Sequence, residues 1–183
     1  MRILLPGDIL LFEPYAGLPW TDEAIVWGEH LEYPHGKEPL FFHAAIVVNA
    51  NTYAEQLTGG SRFTPLLDIA HPQLVQVRRL NLDIEQRKKI PATVEMTMGH
   101  KYDWPLIAYL GMDYLLDGAD HFLYSLFSHH IPQNKFRFGK AKRGEYICST
   151  FVAHILRKVG VHVPSLPSPE DLAYLPGESF VLD

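Results

Sequence analysis

The sequence predicts an α+β fold, an antiparallel sheet packed with helices, in a single domain over residues 1–183. Three observations carry this. Short β-branched or alternating runs cluster before residue 80, and a tight turn at Asn49 to Asn51 makes two of them a hairpin. After residue 83, apolar residues recur at helical spacing. The composition is 47% hydrophobic and 12% aromatic, enough to fill a sizeable core in a chain of 183 residues.

The elements follow in order. Residues 3–5 and 9–12 are apolar runs around the turn-forming Pro6-Gly7-Asp8 and predict an extended entry segment. Residues 13–39 are rich in Pro, Gly and aromatics, with Thr21-Asp22-Glu23 placed to cap a short helix carrying Ile25, Val26 and Trp27. Residues 41–48 read as a buried strand and Thr52 to Leu57 as its hairpin partner, ended by Gly59-Gly60. Residues 74–80 alternate as another strand. Asp83 to Met98 is a helix, with Pro91 either kinking it or starting a second segment and Gly99 closing it. Residues 103–128 predict one or two apolar helices and residues 131–145 a loop. Phe151, Val152, Ile155, Leu156 and Val159 form the stripe of a helix over 148–159, ended by Gly160. The tail from Pro164 holds four prolines and only a short turn at Pro169 to Leu172.

Several function classes are disfavoured. Net charge is -5, and the one basic stretch, Lys135 to Arg143, lacks regular aromatic interleaving and reads as a solvated loop. No nucleic acid is expected as partner. The apolar start is interrupted by Pro6, Gly7 and Asp8 too early for a signal peptide. The region Trp104 to Leu116 is broken by Pro105, Gly111 and Asp113, short of the about 20 apolar residues of a membrane span. No integral membrane segment is expected, and cytoplasmic residence is the default. One cysteine excludes an internal disulfide.

Metal and cofactor sites are not expected either. His129-His130 diverge by about 100° on a helix. Around His30, His35 and His43 no further ligand stands at a diagnostic spacing. No glycine-rich phosphate loop is present. Tyr109, Tyr114, Phe122 and Tyr124 read as helix packing rather than a cofactor box.

Chemistry concentrates on Cys148, the first residue of the 148–159 helix. Free N–H groups and the positive end of the helix dipole stabilise a thiolate there, the form that attacks a carbonyl carbon. The competing reading is a small buried hydrophobe. His43 lies inside an apolar strand, where it is either a satisfied core histidine or a base. Twelve residues on, Glu55 lies in the hairpin partner, either solvated or placed to accept an imidazole N–H. Gln56 points to the opposite face and is the weaker candidate.

Several patches resemble the circularly permuted NlpC-type cysteine peptidases, the YiiX-like branch of the papain-like fold. They are Leu4-Leu5-Pro6-Gly7-Asp8-Ile9-Leu10-Leu11, Phe42-His43-Ala44-Ala45-Ile46-Val47-Val48 and Gly99-His100-Lys101-Tyr102-Asp103-Trp104. Tyr146-Ile147-Cys148-Ser149-Thr150-Phe151-Val152 and the tail Ser168-Pro169-Glu170-Asp171-Leu172 complete the set. They run in the permuted order, histidine before cysteine. The resemblance implies a papain-like fold with Cys148 as nucleophile, His43 as base and Glu55 as orienting group. For Tyr102 it implies an oxyanion or substrate role, against simple packing. It further implies hydrolysis of an amide bond in a peptide or small acyl-amide substrate, such as a cell-wall-type peptide, through an acyl-enzyme. Residues 13–39 and 105–145 are longer than the pattern and are candidates to shape a pocket. Two alternatives stand beside this reading. One is a lipid acyltransferase or deacylase using the same site, with segment 103–128 lining an acyl pocket. The other is a non-catalytic binding module.

Overall fold

The computed structural model describes residues 2–15, 41–103 and 145–182. The helix expected near Ala24, the aromatic helices after Asp103, the basic loop, and His30, His35, His129 and His130 lie outside them.

The body is α+β. Strands β1 (Ile9–Phe12), β2 (His43–Asn49), β3 (Thr52–Leu57), β4 (Gly60–Pro65), β5 (Val75–Leu80) and β8 (Gly177–Val181) form one antiparallel sheet. Their order is β4-β3-β2-β1-β5-β8. A second, two-stranded ladder pairs β6 (Lys101–Tyr102) with β7 (Glu145–Tyr146) in parallel. Among the described residues three α-helices accompany the sheet, α1 (Ile84–Thr97), α2 (Cys148–Lys158) and α3 (Pro169–Ala173).

The central strands are buried on both faces, which is why their sequences run apolar without alternating. Ile9, Leu11, Ala44, Ile46 and Ala54 pack on one face against Ile90 and Val94 of α1 and Phe151, Val152, Ile155 and Leu156 of α2. Leu10, Ala45, Val47, Tyr53, Val75 and Val77 form a separate cluster on the other. Helix α2 is thereby pressed onto the sheet along its apolar stripe.

Several expectations need correction. Residues 3–5 form no strand; β1 begins at Ile9, after a turn that holds Gly7 at φ +89°. Pro91 neither starts a second helix nor ends the first, since α1 runs unbroken from Ile84 to Thr97. Pro91 only forgoes an N–H to the Arg87 carbonyl. A reciprocal cap starts α1: the Asp83 side chain accepts from the Gln86 N–H, and the Gln86 side chain accepts from the Asp83 N–H. Gly59-Gly60 ends β3 but turns the chain straight into β4, a strand the sequence reading lacked. The proline-rich tail likewise supplies an edge strand, β8, beyond the short helix α3. Glu145, placed in the expected loop, belongs to β7.

One end of the sheet is fastened by Asp8, which is fully buried. Its carboxylate accepts from Arg79 Nη2 at 2.6 Å, Arg87 Nη1 at 3.3 Å and the Leu5 N–H at 2.9 Å. Arg79 also donates to the Ile3 carbonyl, and Arg87 to the carbonyls of Pro6 and Leu80. β1, β5 and α1 thus meet on one carboxylate. Beyond it, Arg79 and Arg2 lie 5.0 and 4.8 Å from the centre of the Phe180 ring, tying β8 to the same cluster. Gly177 fits this edge because an added Cβ would collide with the Arg79 carbonyl.

Removing one partner of a buried ion cluster leaves the others uncompensated, at a cost of about 3–5 kcal/mol. Asp8→Ala is therefore expected to lose about that much stability in urea unfolding. A loss below about 1 kcal/mol would show that the cluster is a surface ornament.

Candidate active site

The hairpin β2–β3 places the first two groups. Glu55 stands directly opposite Ala45 in the ladder, so His43, two residues before Ala45, is its diagonal neighbour on the same face. The small Ala45 side chain leaves that diagonal open. His43 Nε2 and Glu55 Oε2 are 2.9 Å apart, with side chains 12% and 4% exposed. The imidazole is flanked by the rings of Phe12 and Phe42, at 5.3 and 6.2 Å between centres.

Strand β4 completes the carboxylate's surroundings. Glu55 Oε1 accepts from Thr64 Oγ1 at 2.7 Å and from Arg62 Nε at 2.9 Å, Arg62 being its direct partner across the ladder. Burial pushes the carboxyl pKa up. The hydrogen bond and charge of His43, with the bonds from Thr64 and Arg62, outweigh this and hold it down at about 2.

Cys148 comes from a different part of the chain, at the first position of α2. Ile147, the residue before it, has no side-chain oxygen to cap the helix. Thr150 compensates by accepting the Ile147 N–H at 2.9 Å and donating back to the Ile147 carbonyl at 3.2 Å. The His43 ring and the N–H groups of Ala44 in β2 and of Ser149 lie close enough to the Cys148 sulfur to stabilise its charged form. With Nε2 engaged by Glu55, Nδ1 is the ring nitrogen left for the sulfur.

The electrostatics of the pair follow. Only 4% of Cys148 is exposed, and burial alone would raise its pKa. The His43 hydrogen bond and charge, and the two backbone N–H donors, pull it below the usual thiol range instead. Burial likewise opposes the imidazolium, yet the hydrogen bonds and charges of Cys148 and Glu55 raise His43 to about 10. Both shifts favour a thiolate–imidazolium pair at neutral pH.

Cys148, His43 and Glu55 are thus brought together, His43 hydrogen-bonded to Glu55 and close to the sulfur. Tyr102 reaches the same region from another element. It sits in β6 in register with Tyr146, two residues before Cys148, and is 7% exposed. Gln56 is buried on the face opposite Glu55 and donates to the His100 carbonyl at 3.3 Å. Sequence reasoning missed Arg62, Thr64 and the Ala44 N–H. The signal for the first two was available: Thr58-Gly59 as a two-residue hairpin turn sets Arg62 opposite Glu55.

Among the described residues, no group of three His, Cys, Asp or Glu side chains is arranged to hold a metal ion. No described helix is long and apolar enough to cross a membrane. No protein-family model matches the chain, and no curated protein matches it.

Two measurements probe the pair. Iodoacetamide is expected to label Cys148 readily at pH 6, where an ordinary thiol of pKa about 8.5 holds under about 1% thiolate. His43→Ala should move that profile upward, because only the two backbone N–H groups then oppose burial; an unmoved profile refutes the pairing. Glu55 has its folded pKa depressed, so its contribution to stability is full above about 4.5 and lost as pH falls towards 2. Glu55→Gln should flatten acid unfolding across that window.

Proposed function

We propose that this chain is a cysteine hydrolase of the permuted NlpC type, with a papain-like fold, that cleaves an amide bond in a peptide or small acyl-amide substrate. The observation that supports it most is the relay Cys148–His43–Glu55, with a buried sulfur at a helix start and an imidazole held on both sides.

The chemistry follows from that geometry. The Cys148 thiolate attacks the carbonyl carbon and a C–S bond forms. The Cys148 N–H, at a first helical position without an intrahelical acceptor, donates to the oxyanion. His43 gives its proton to the departing nitrogen as the C–N bond breaks, leaving a thioester and a free amine. A water then loses its proton to His43 and attacks the thioester, releasing the carboxylic acid and the thiolate. Glu55 keeps the imidazole oriented and stabilises its charge through both steps. Arg62 and Thr64 keep Glu55 ionised, so the carboxylate stays an acceptor. Segment 103–128, on which the acyl-chain alternative rests, lies almost wholly outside the described residues.

Cys148→Ala is expected to abolish turnover of short cell-wall-type peptides while leaving urea unfolding unchanged. His43→Ala should cost about 10²–10⁴-fold in kcat/KM, the usual worth of a positioned base. Mass spectrometry of the enzyme quenched during turnover should find the acyl group on Cys148. Full activity in the alanine variant would end this reading.

A further inference from the structure

Three side chains bind the Glu55 carboxylate, and they hold it unequally. His43 Nε2 lies 2.9 Å from Oε2, while Thr64 Oγ1 and Arg62 Nε both donate to Oε1. The ladder sets this row. Arg62 stands directly across from Glu55, and Thr64 stands across from Tyr53, which puts Thr64 on the diagonal from Glu55. The carboxylate is therefore gripped between two diagonal neighbours, His43 on β2 and Thr64 on β4.

The two donors to Oε1 differ in how firmly they are themselves fixed. The Arg62 side chain is 59% exposed, so water competes for its guanidinium and salt screens its charge. Thr64 is 7% exposed, and its branched Cβ restricts its rotation. Its bond to Glu55, at 2.7 Å, is the short kind expected of a hydroxyl on a carboxylate. Tyr53 decides where the single proton of that hydroxyl goes. Burial, and then the charge of Glu55, push the Tyr53 phenol up to about 12, so it stays a donor. The phenol lies close enough to Thr64 to engage its oxygen, and the threonine proton is left for Glu55.

The reaction makes this difference matter. When His43 gives its proton to the departing nitrogen, the charge that drew Glu55 towards the imidazole is gone. Arg62 keeps its charge throughout and draws the carboxylate the other way. A fixed neutral donor resists that turn, because its bond does not depend on the state of the imidazole. We propose that Thr64 is a positioning residue, fixing the rotation of the Glu55 carboxylate so that Oε2 stays on His43 while the imidazole is neutral, and that Arg62 is not. This rests on Cys148, His43 and Glu55 as the reacting relay.

The test reads His43 rather than turnover. In histidine-labelled protein the Nε2–H resonance reports the bond to Glu55, and its loss in His43→Ala assigns it. In the wild-type chain His43 should titrate near 10. Thr64→Val and Thr64→Ala both delete the hydroxyl, one keeping the bulk and the other relieving the packing, and the variant that folds is read. Deletion should lower the His43 midpoint by about one pH unit, the lower end of what a hydrogen bond to a charged group contributes. The Nε2–H resonance should move upfield with it. Thr64→Ser keeps the donor and should keep both signals, and Arg62→Gln should stay within about half a unit of wild type. A purely structural threonine would lower unfolding stability and leave the His43 midpoint in place. An unmoved midpoint, a serine variant that behaves like valine, or an equal fall in Arg62→Gln overturns the positioning role without touching the nucleophile. A wild-type His43 that titrates near its ordinary value of about 6.5 removes the relay itself, and the role of Thr64 with it.

Discussion

A negative charge on a sulfur almost closed off from water has to be held by the chain itself, because ions in a low-dielectric interior are costly unless paired and hydrogen-bonded. The donors that hold it here come from two elements far apart in sequence. Two belong to the start of β2, the His43 ring and the Ala44 N–H; the third is the Ser149 N–H of α2. They converge only because the apolar stripe of α2 seats its first turn against that strand. The charge on the imidazole sets the next requirement, met by Glu55, and the carboxylate sets another, met by Arg62 and Thr64. Each group is tolerable in the interior because the next is present, so the relay behaves as one unit.

The two ends of the sheet carry different chemistry. Asp8 and its two arginines gather at the start of β1, whereas Phe12 at the other end pairs with His43. Both ends use buried charge, with different outcomes. At the Asp8 end both charged partners are guanidiniums, which do not give up their protons in proteins. At the His43 end the partners are a thiol and an imidazole, which exchange a proton within the ordinary pH range. The same physics gives a fixed clamp in one place and a pair of titratable groups in the other.

What was legible in the sequence follows from how each element is stabilised. β5 and α2 bury apolar side chains in a regular period and β2 does so in a continuous apolar run, and both patterns are written in their residues. β4 and β8 were hidden because edge strands are recruited by main-chain pairing more than by burial. Gly60-Ser61-Arg62-Phe63-Thr64-Pro65 buries only Thr64, and Gly177-Glu178-Ser179-Phe180-Val181 buries none of its residues fully. Two-residue strands such as β6 and β7 carry no periodicity at all. The site shows the same split. Cys148, His43 and Glu55 sit on legible elements, whereas Arg62 and Thr64 were lost with the strand that carries them. Glu55 was found although the geometry differs from the simplest expectation, since it reaches His43 diagonally rather than from directly across.

The shielding of Cys148 also decides which oxidants can reach it. A sulfur so enclosed offers little room to a bulky disulfide, while a molecule the size of hydrogen peroxide meets far less obstruction, and a thiolate is the form most readily oxidised. The chain has no second cysteine, so a sulfenic acid formed there has no internal thiol with which to condense. Its recovery depends on a small external thiol entering the same narrow opening, and its alternative is further oxidation to the irreversible acids. Enclosure that sets neighbouring groups around the sulfur therefore also makes its oxidation hard to undo.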